Sequence, residues 1–253
     1  MIKKIIKNEA FQSLFASLLC IILGVAIGYV VLLFINPTGA GEAIMEVLKN
    51  FMHYSKANLQ LKNFGGTLVK TAPLIMCSLS ILFAYKVGLF NIGAPGQYLM
   101  GTMTTLMLAL GIPSTAVPAG LIWIIAFLGG MVAGALWGAI PGLLKAFLNI
   151  NEVLACIMTN WLAANVVTWA FDVSNFKNVA EGTKTGYIYK TTFNGVATPK
   201  LGLDKIFPNS QVNGGILIAA VIAILVYIIM NKTTLGYQLK ACGSNRHAAR
   251  YAG

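Results

Sequence analysis

Charge is what this sequence has least of. Asp, Glu, Lys and Arg make up 10% of its 253 residues, where soluble domains carry about 25%. With 57% hydrophobic residues, that scarcity excludes a soluble globular domain and describes a chain whose solvent is lipid. Acidic residues are scarcest, 7 against 18 Lys and Arg. The basic excess does not describe a nucleic-acid surface, because it falls in short clusters between apolar runs without interleaved aromatics. Paired cysteine motifs are also missing. Cys20, Cys77, Cys156 and Cys242 show no CxxC or Cys/His spacing, and three lie inside apolar runs, which excludes a zinc site and a disulfide scaffold. No GxxxxGK[ST] loop occurs to cradle a nucleotide, and no nucleophile, base and orienting group cluster together. No catalytic residue, metal ligand or cofactor of its own is therefore expected, and the chain does not read as an enzyme.

What is present is a series of long uncharged runs. Crossing the hydrocarbon takes roughly 20 helical residues, because no backbone polar group can stay unpaired in lipid. The spacing predicts an all-α integral membrane protein with about six transmembrane helices, near 11–35, 66–86, 95–112, 118–140, 153–171 and 214–231, forming one transmembrane domain over 1–253. The first run is longer than the roughly 7–15 apolar residues of a signal peptide, so it reads as an uncleaved span. The 58 uncharged residues from Val87 to Leu144 are divided by GIPSTAVP at 111–118, whose two prolines mark a turn. Six spans put both termini on one side. The Lys3, Lys4, Lys7 cluster argues that this side is the cytoplasm of a multi-pass plasma-membrane protein.

Outside the spans, Ile44, Val47, Leu48, Phe51 and Met52 recur at helical spacing, which predicts an amphipathic outer helix over 42–54. His53 on its polar face reads as a solvated histidine or, less simply, a pH sensor. Residues 172–213, with a hairpin-like GYIYKTTFNG, form an outer loop. Small residues recur every four positions at Ala16, Cys20, Gly24 and Gly28 and again at Ala126, Gly130, Gly134, Gly138 and Gly142. Such stripes let helix backbones approach closely, within one subunit or between two.

Three places carry residues that a plain hydrophobic bundle does not need. GLFNIGAPGQ, 88–97, contains three glycines, Asn91, Pro95 and Gln97, so a continuous helix through it is not expected. Pro95 suits a first helical turn, leaving irregular backbone at 88–94 as a broken or re-entrant segment before the third span. Backbone of that kind at membrane depth survives where protein buries it or where it lines a watery path, and the alternative is a cytoplasmic turn. Asn91 and Gln97 both donate and accept, which suits a hydroxylated or base-like ligand. Thr159 and Asn160 lie inside the fifth span, facing a path or joining helices, and Glu152 opens that span at the positive end of its helix. The tail KTTLGYQLKACGSNRHAARYAG reads as a short helix to Cys242, a stop at Gly243, a cap at Ser244 and a second short helix. That pair serves as a docking element, or as a basic anchor on anionic lipid.

At three blocks the sequence resembles the permease subunits of bacterial ATP-binding-cassette importers, in the nucleoside and simple-sugar branch related to ribose and branched-chain amino acid permeases. The blocks are GLFNIGAPGQ at 88–97, GALWGAIPGLLKA with NEVLACIMTNW over 134–161, and TTLGYQLKACGSNRHAARYAG over 233–253. The resemblance implies that Phe90, Asn91, Gly93, Gly96, Gln97, Thr159 and Asn160 contact or shape a translocation path. It implies that Leu235, Gly236, Tyr237, Asn245, Ala248, Ala249 and Tyr251 form a cytoplasmic coupling-helix pair, 232–253, resting on a separate ATPase that binds the ATP and Mg. Gly24, Gly28, Gly130, Gly134 and Gly138 remain helix-packing positions. The implied partners are that ATPase, a second permease subunit in a homo- or heterodimer, an extracellular substrate-binding lipoprotein and the bilayer. Members of the family carry an acidic residue where Pro95 stands and continue with further membrane helices beyond the coupling element, so this chain reads as truncated at its C-terminus. The rival reading is a gradient-driven secondary transporter of a small polar solute, for which Glu152 alone qualifies as a carboxylate.

Overall fold

The computed structural model describes residues 9–54, 56–174, 176 and 196–251. The Lys3, Lys4, Lys7 cluster, the hairpin-like stretch at 186–195 and the side chain of His53 lie outside the described residues. Every regular element described is helical: α1 (Glu9–Ile35), α2 (Ala40–Lys49), a 3-10 turn (Asn50–His53), α3 (Ala57–Lys86), α4 (Ala94–Gly111), α5 (Ala119–Leu148), α6 (Glu152–Asp172), α7 (Leu203–Ile206), α8 (Gly215–Lys232), α9 (Thr234–Ser244) and α10 (Arg246–Tyr251). Five of them, α1 from Phe15, α3, α5, α6 and α8, are long and apolar enough to cross a membrane. The protein is an all-α membrane protein.

The chain divides into a unit ending at Phe64 and a larger one from Gly65. In the first, Asn36 turns the chain out of α1, its side-chain oxygen accepting from Thr38 Oγ1 at 3.0 Å and from the Gly39 amide at 3.2 Å. α2 then presents Val47 and Leu48 to its surroundings, both exposed. The amphipathic run is not one helix to residue 54. Asn50 takes φ 44°, in the left-handed region that ends an α-helix, and the chain continues as the 3-10 turn.

In the larger unit α4 joins two ends of a helical bundle. At one end Lys145 pairs with Glu152 and the 86–88 turn meets Gly243. At the other, Trp123 Nε1 donates to Thr198 Oγ1 at 3.4 Å and the Gly214 amide donates to Pro199 O at 2.7 Å. With 18 residues, α4 extends about 27 Å, close to the bilayer core. Its threonine hydroxyls are satisfied within the helix. Thr102 donates to Tyr98 O at 2.9 Å, Thr104 to Met100 O at 3.0 Å and Thr105 to Gly101 O at 2.9 Å.

The α5 stripe lies against α4. A Cβ placed on Gly101 would meet Gly130 O at 3.1 Å, and one on Gly130 would meet Thr105 Oγ1 and, at 2.9 Å, Gly101 O. Gly134 faces Gln97 O and Gly138 the Gln97 amide in the same way. Gly24 and Gly28 in α1, and Gly142 in α5, have nothing within 4 Å of such a Cβ. The α4–α5 contact therefore depends on glycine at one point above all. Gly130→Leu is expected to lower the stability of the purified protein in detergent by about 1–3 kcal/mol, the usual cost of overpacking. Gly120→Ala, with open space around it, is expected to leave the thermal unfolding midpoint unchanged.

Two helices outrun the hydrocarbon estimate. α3 begins at Ala57 rather than near 66, and α5 continues past Pro141 to Leu148. Apolar runs measure only the membrane-embedded part of a helix, and the polar NLQLKN turns of α3 need no lipid to stay helical. Pro73 and Pro141 stand inside these helices, where neighbouring helices offset the lost backbone bond. In the tail, Gly243 does not stop the helix. α9 runs through it to Ser244, and Asn245 rather than Ser244 caps α10, its oxygen accepting from the Ala248 amide at 3.0 Å.

Candidate functional site

The site is built on the break between α3 and α4. After Lys86 the chain turns through Gly88, whose φ of 81° suits glycine and strains other residues. Residues 89–91 belong to no regular element. Asn91 then folds back on its own backbone, accepting from the Gly93 amide at 3.0 Å, and α4 starts at Ala94 with Pro95 in its first turn. There the missing proline N–H costs nothing, because the first helical amides have no partner in the helix.

Asn160 in α6 clamps this segment. Its Nδ2 donates to Ile92 O at 3.0 Å and its Oδ1 accepts from the Gly96 amide at 2.9 Å. Both ends of the carboxamide are thus committed to backbone groups flanking the break. Gly96 permits the approach, since a Cβ there would meet Asn160 Oδ1 at 2.6 Å and its Cα at 3.1 Å. Thr159 beside it is buried, its hydroxyl donating to Cys156 O at 3.0 Å while its carbonyl accepts from Trp137 Nε1 at 3.3 Å. Asn160 thus bonds to the broken segment, and Thr159 to its own helix and to Trp137.

The carboxamides of Asn91 and Gln97 face one another, Asn91 Nδ2 donating to Gln97 Oε1 at 3.3 Å and Gln97 Nε2 to Asn91 Oδ1 at 3.2 Å. Asn91 Nδ2 also donates to Ser80 Oγ at 3.0 Å, and Ser80 Oγ donates to Gln97 Oε1 at 3.4 Å. The network ties α3, the broken segment and α4 together. Gly93 and Gly138 make room for it: a Cβ on Gly93 would meet Asn91 Oδ1 and Cys156 Sγ at 3.1 Å, and one on Gly138 would meet Gln97 Nε2 at 3.0 Å.

Both carboxamides form part of the wall of a cavity of about 160 Å³, with Phe90, Lys145, Glu152 and Cys156 among its other lining residues. Its lining is mainly apolar, with the two carboxamides, Lys145 and Glu152 supplying its polar groups. Its charged rim comes from a tight helical hairpin. Asn149 ends α5 at φ 51°, and Asn151 caps α6 by accepting from the Val153 amide at 2.9 Å. The short link between these caps leaves Lys145 Nζ 3.0 Å from Glu152 Oε2, with side chains 32% and 24% exposed. An ion pair so open to solvent contributes at most about 1 kcal/mol. Its carboxylate is compensated and does not stand alone in the membrane.

A second cavity, about 250 Å³, lies at the opposite end, bounded by Pro73, Thr105, Trp123, Phe127, Thr198 and Ile218 among others. Trp123 and Phe127 stack with ring centroids 5.5 Å apart and planes 11° from parallel. Hydroxyls at Thr105 and Thr198 complete an aromatic wall with polar edges.

The tail folds back on α8. Thr233 caps α9, accepting from the Gly236 amide at 3.2 Å and donating to Ile229 O at 2.6 Å. Gly236 is buried, and a Cβ there would meet Ile229 O and, at 2.6 Å, Met230 Cα and O. Lys240 Nζ donates to Asn231 Oδ1 at 2.7 Å. Leu235, Tyr237, Asn245, Ala248 and Tyr251 are exposed and Ala249 is half-buried. Ser80 and Trp123 escape a reading by motif, while Trp137, Lys145 and Cys156 lie inside the matched blocks without being singled out. Asn149 and Asn151, two residues apart between apolar runs, were the available signal for the Lys145–Glu152 hairpin.

Residues 63–253 match the family described as branched-chain amino acid transport system / permease component, and the chain belongs to that family of membrane permeases. It is 32% identical over 247 residues to a guanosine ABC transporter permease protein of Bacillus subtilis, covering 97% of this chain and 66% of that protein. Against a nucleoside ABC transporter permease protein of Lactococcus lactis the identity is 32% over 248 residues, covering 97% and 65%. A glucose ABC transporter permease protein of Haloferax volcanii is 32% identical over 198 residues, covering 75% and 50%. The chain thus spans just under two thirds of the length of the first two relatives. No solved structure matches it significantly.

Proposed function

We propose that this chain is a transmembrane permease subunit of an ATP-driven ABC importer and forms part of the translocation path for a nucleoside. The observation that carries the reading is the broken span of a permease-family chain, clamped by Asn160, with its Asn91–Gln97 carboxamides in the wall of a mainly apolar cavity. Carboxamides suit ribose hydroxyls or a base edge. The Trp123–Phe127 wall offers the flat apolar surface on which a planar base stacks. The guanosine and nucleoside relatives favour nucleosides over free sugars.

In this assembly both termini of the chain face the cytoplasm, and an external binding lipoprotein delivers the solute to the outer face. A second permease, identical or paralogous, completes the path. A separate ATPase binds ATP and Mg, docks on the exposed Leu235, Tyr237 and Tyr251 of the tail, and drives alternating access by rocking it. The gradient-driven alternative finds little support, because Glu152 is compensated by Lys145 at a helix end. Uptake of tritiated guanosine into cells is expected to require the ATPase gene and to persist when proton and sodium gradients are collapsed by ionophores. Uptake that survives loss of the ATPase and vanishes with the ionophores overturns the reading.

A further inference from the structure

The tail and the broken segment meet directly, backbone to backbone. A Cβ built on Gly88 would lie 3.1 Å from Gly243 Cα and O. One built on Gly243 would meet Lys86 O, Val87 C at 2.9 Å and Gly88 N at 3.0 Å. The contact explains why residue 243 is glycine, since a side chain there would push the helix off the turn. It also lies three residues from Asn91 in the chain. From Gly243 a continuous set of contacts runs through the 86–88 turn to Asn91, then to Gln97 and Ser80, and through Ile92 to Asn160. The other end of α9 is fixed to α8 by the Thr233 cap and by the buried Gly236. A push on the exposed face of α9 therefore arrives at its free end, where Gly243 touches the turn.

We propose that the Gly88–Gly243 contact is the joint through which the tail moves the broken segment, making these two glycines positioning residues for transport. The proposal rests on the permease reading, in which the tail docks an ATPase. The joint transmits only while the two backbones stay in register, and a methyl at either glycine separates them. Spatial continuity alone does not establish coupling, so the test must read the coupling itself.

The experiment uses the protein co-purified with its partners from its native membrane and reconstituted in liposomes, with ATP hydrolysis and guanosine uptake measured on one preparation. Gly243→Ala is expected to keep the ATPase bound and hydrolysing while uptake per ATP falls at least roughly tenfold; Gly120→Ala, in open space, keeps the wild-type ratio. An unchanged uptake per ATP in Gly243→Ala overturns the joint and leaves the permease reading standing. Absence of any co-purifying ATPase with the wild-type chain overturns that reading, and the joint with it. Should Gly243→Ala fail to assemble, amide hydrogen exchange of the wild-type complex with and without ATP and vanadate decides. Protection that changes together at 86–93 and 240–244 supports the joint, and change at 240–244 alone overturns it.

Discussion

Asn160→Leu is expected to abolish guanosine uptake while the chain still inserts in the membrane and still co-purifies with its ATPase. Leucine matches asparagine roughly in size but has no polar atoms, so the substitution removes the partners of the Gly96 amide, in a buried residue, and of the Ile92 carbonyl, in a half-buried one. A buried group left unpaired costs about 1–3 kcal/mol, which makes roughly 2–6 kcal/mol for the two. The loss falls on the 89–93 segment, which has no helix of its own to hold it. The segment is expected to shift and carry Asn91 away from Gln97. Asn160→Asp separates the two bonds, because a carboxylate still accepts from Gly96 but cannot donate to Ile92. Its uptake should fall between wild type and Asn160→Leu. Full uptake by Asn160→Leu at equal membrane levels would show that the clamp is not needed to hold the path.

Asn160 also shows how far a sequence of this kind can be read. A lone polar residue in an apolar run announces that it has a partner, but not which one, and the spacing left a path-facing group and an interhelical clamp equally open. In the structure each end of the carboxamide bonds to a backbone group beside the break, which supplies the clamp's partners. Helices are legible wherever lipid imposes a rule: α1, α6 and α8 follow from uncharged runs, since a span must be long and nearly free of charge. Where water takes over, that rule lapses, and α3 and α5 run on into polar sequence. Gly243 fails for a related reason. Glycine after a helical stretch signals a stop when local conformation decides, but here a backbone 155 residues earlier in the chain, at Gly88, requires the same absence of a side chain. Ser80 carries no spacing signal at all, and its place in the Asn91–Gln97 network depends on how α3 is rotated against α4.

Gly236→Glu is the second substitution expected to remove uptake outright, by a different route. Around Gly236 the neighbours are Ile229 O and the Met230 backbone, which cannot swing aside as a flexible side chain does. Even Gly236→Ala would force α9 away from α8, and a longer charged side chain forces it further. Lifting α9 breaks the Thr233 cap on the Gly236 amide and draws Lys240 from Asn231. The tail then has no fixed pose to offer an ATPase, although the spans above it are untouched. Uptake is expected to fall to background with a normal amount of chain in the membrane, and co-purification of the ATPase should fall in parallel. Asn160→Leu differs there, keeping the ATPase while losing the path. If Gly236→Glu imported guanosine at the wild-type rate, the folded-back tail would have no part in coupling, and the exposed Leu235 and Tyr237 would have to be explained by contact with lipid instead.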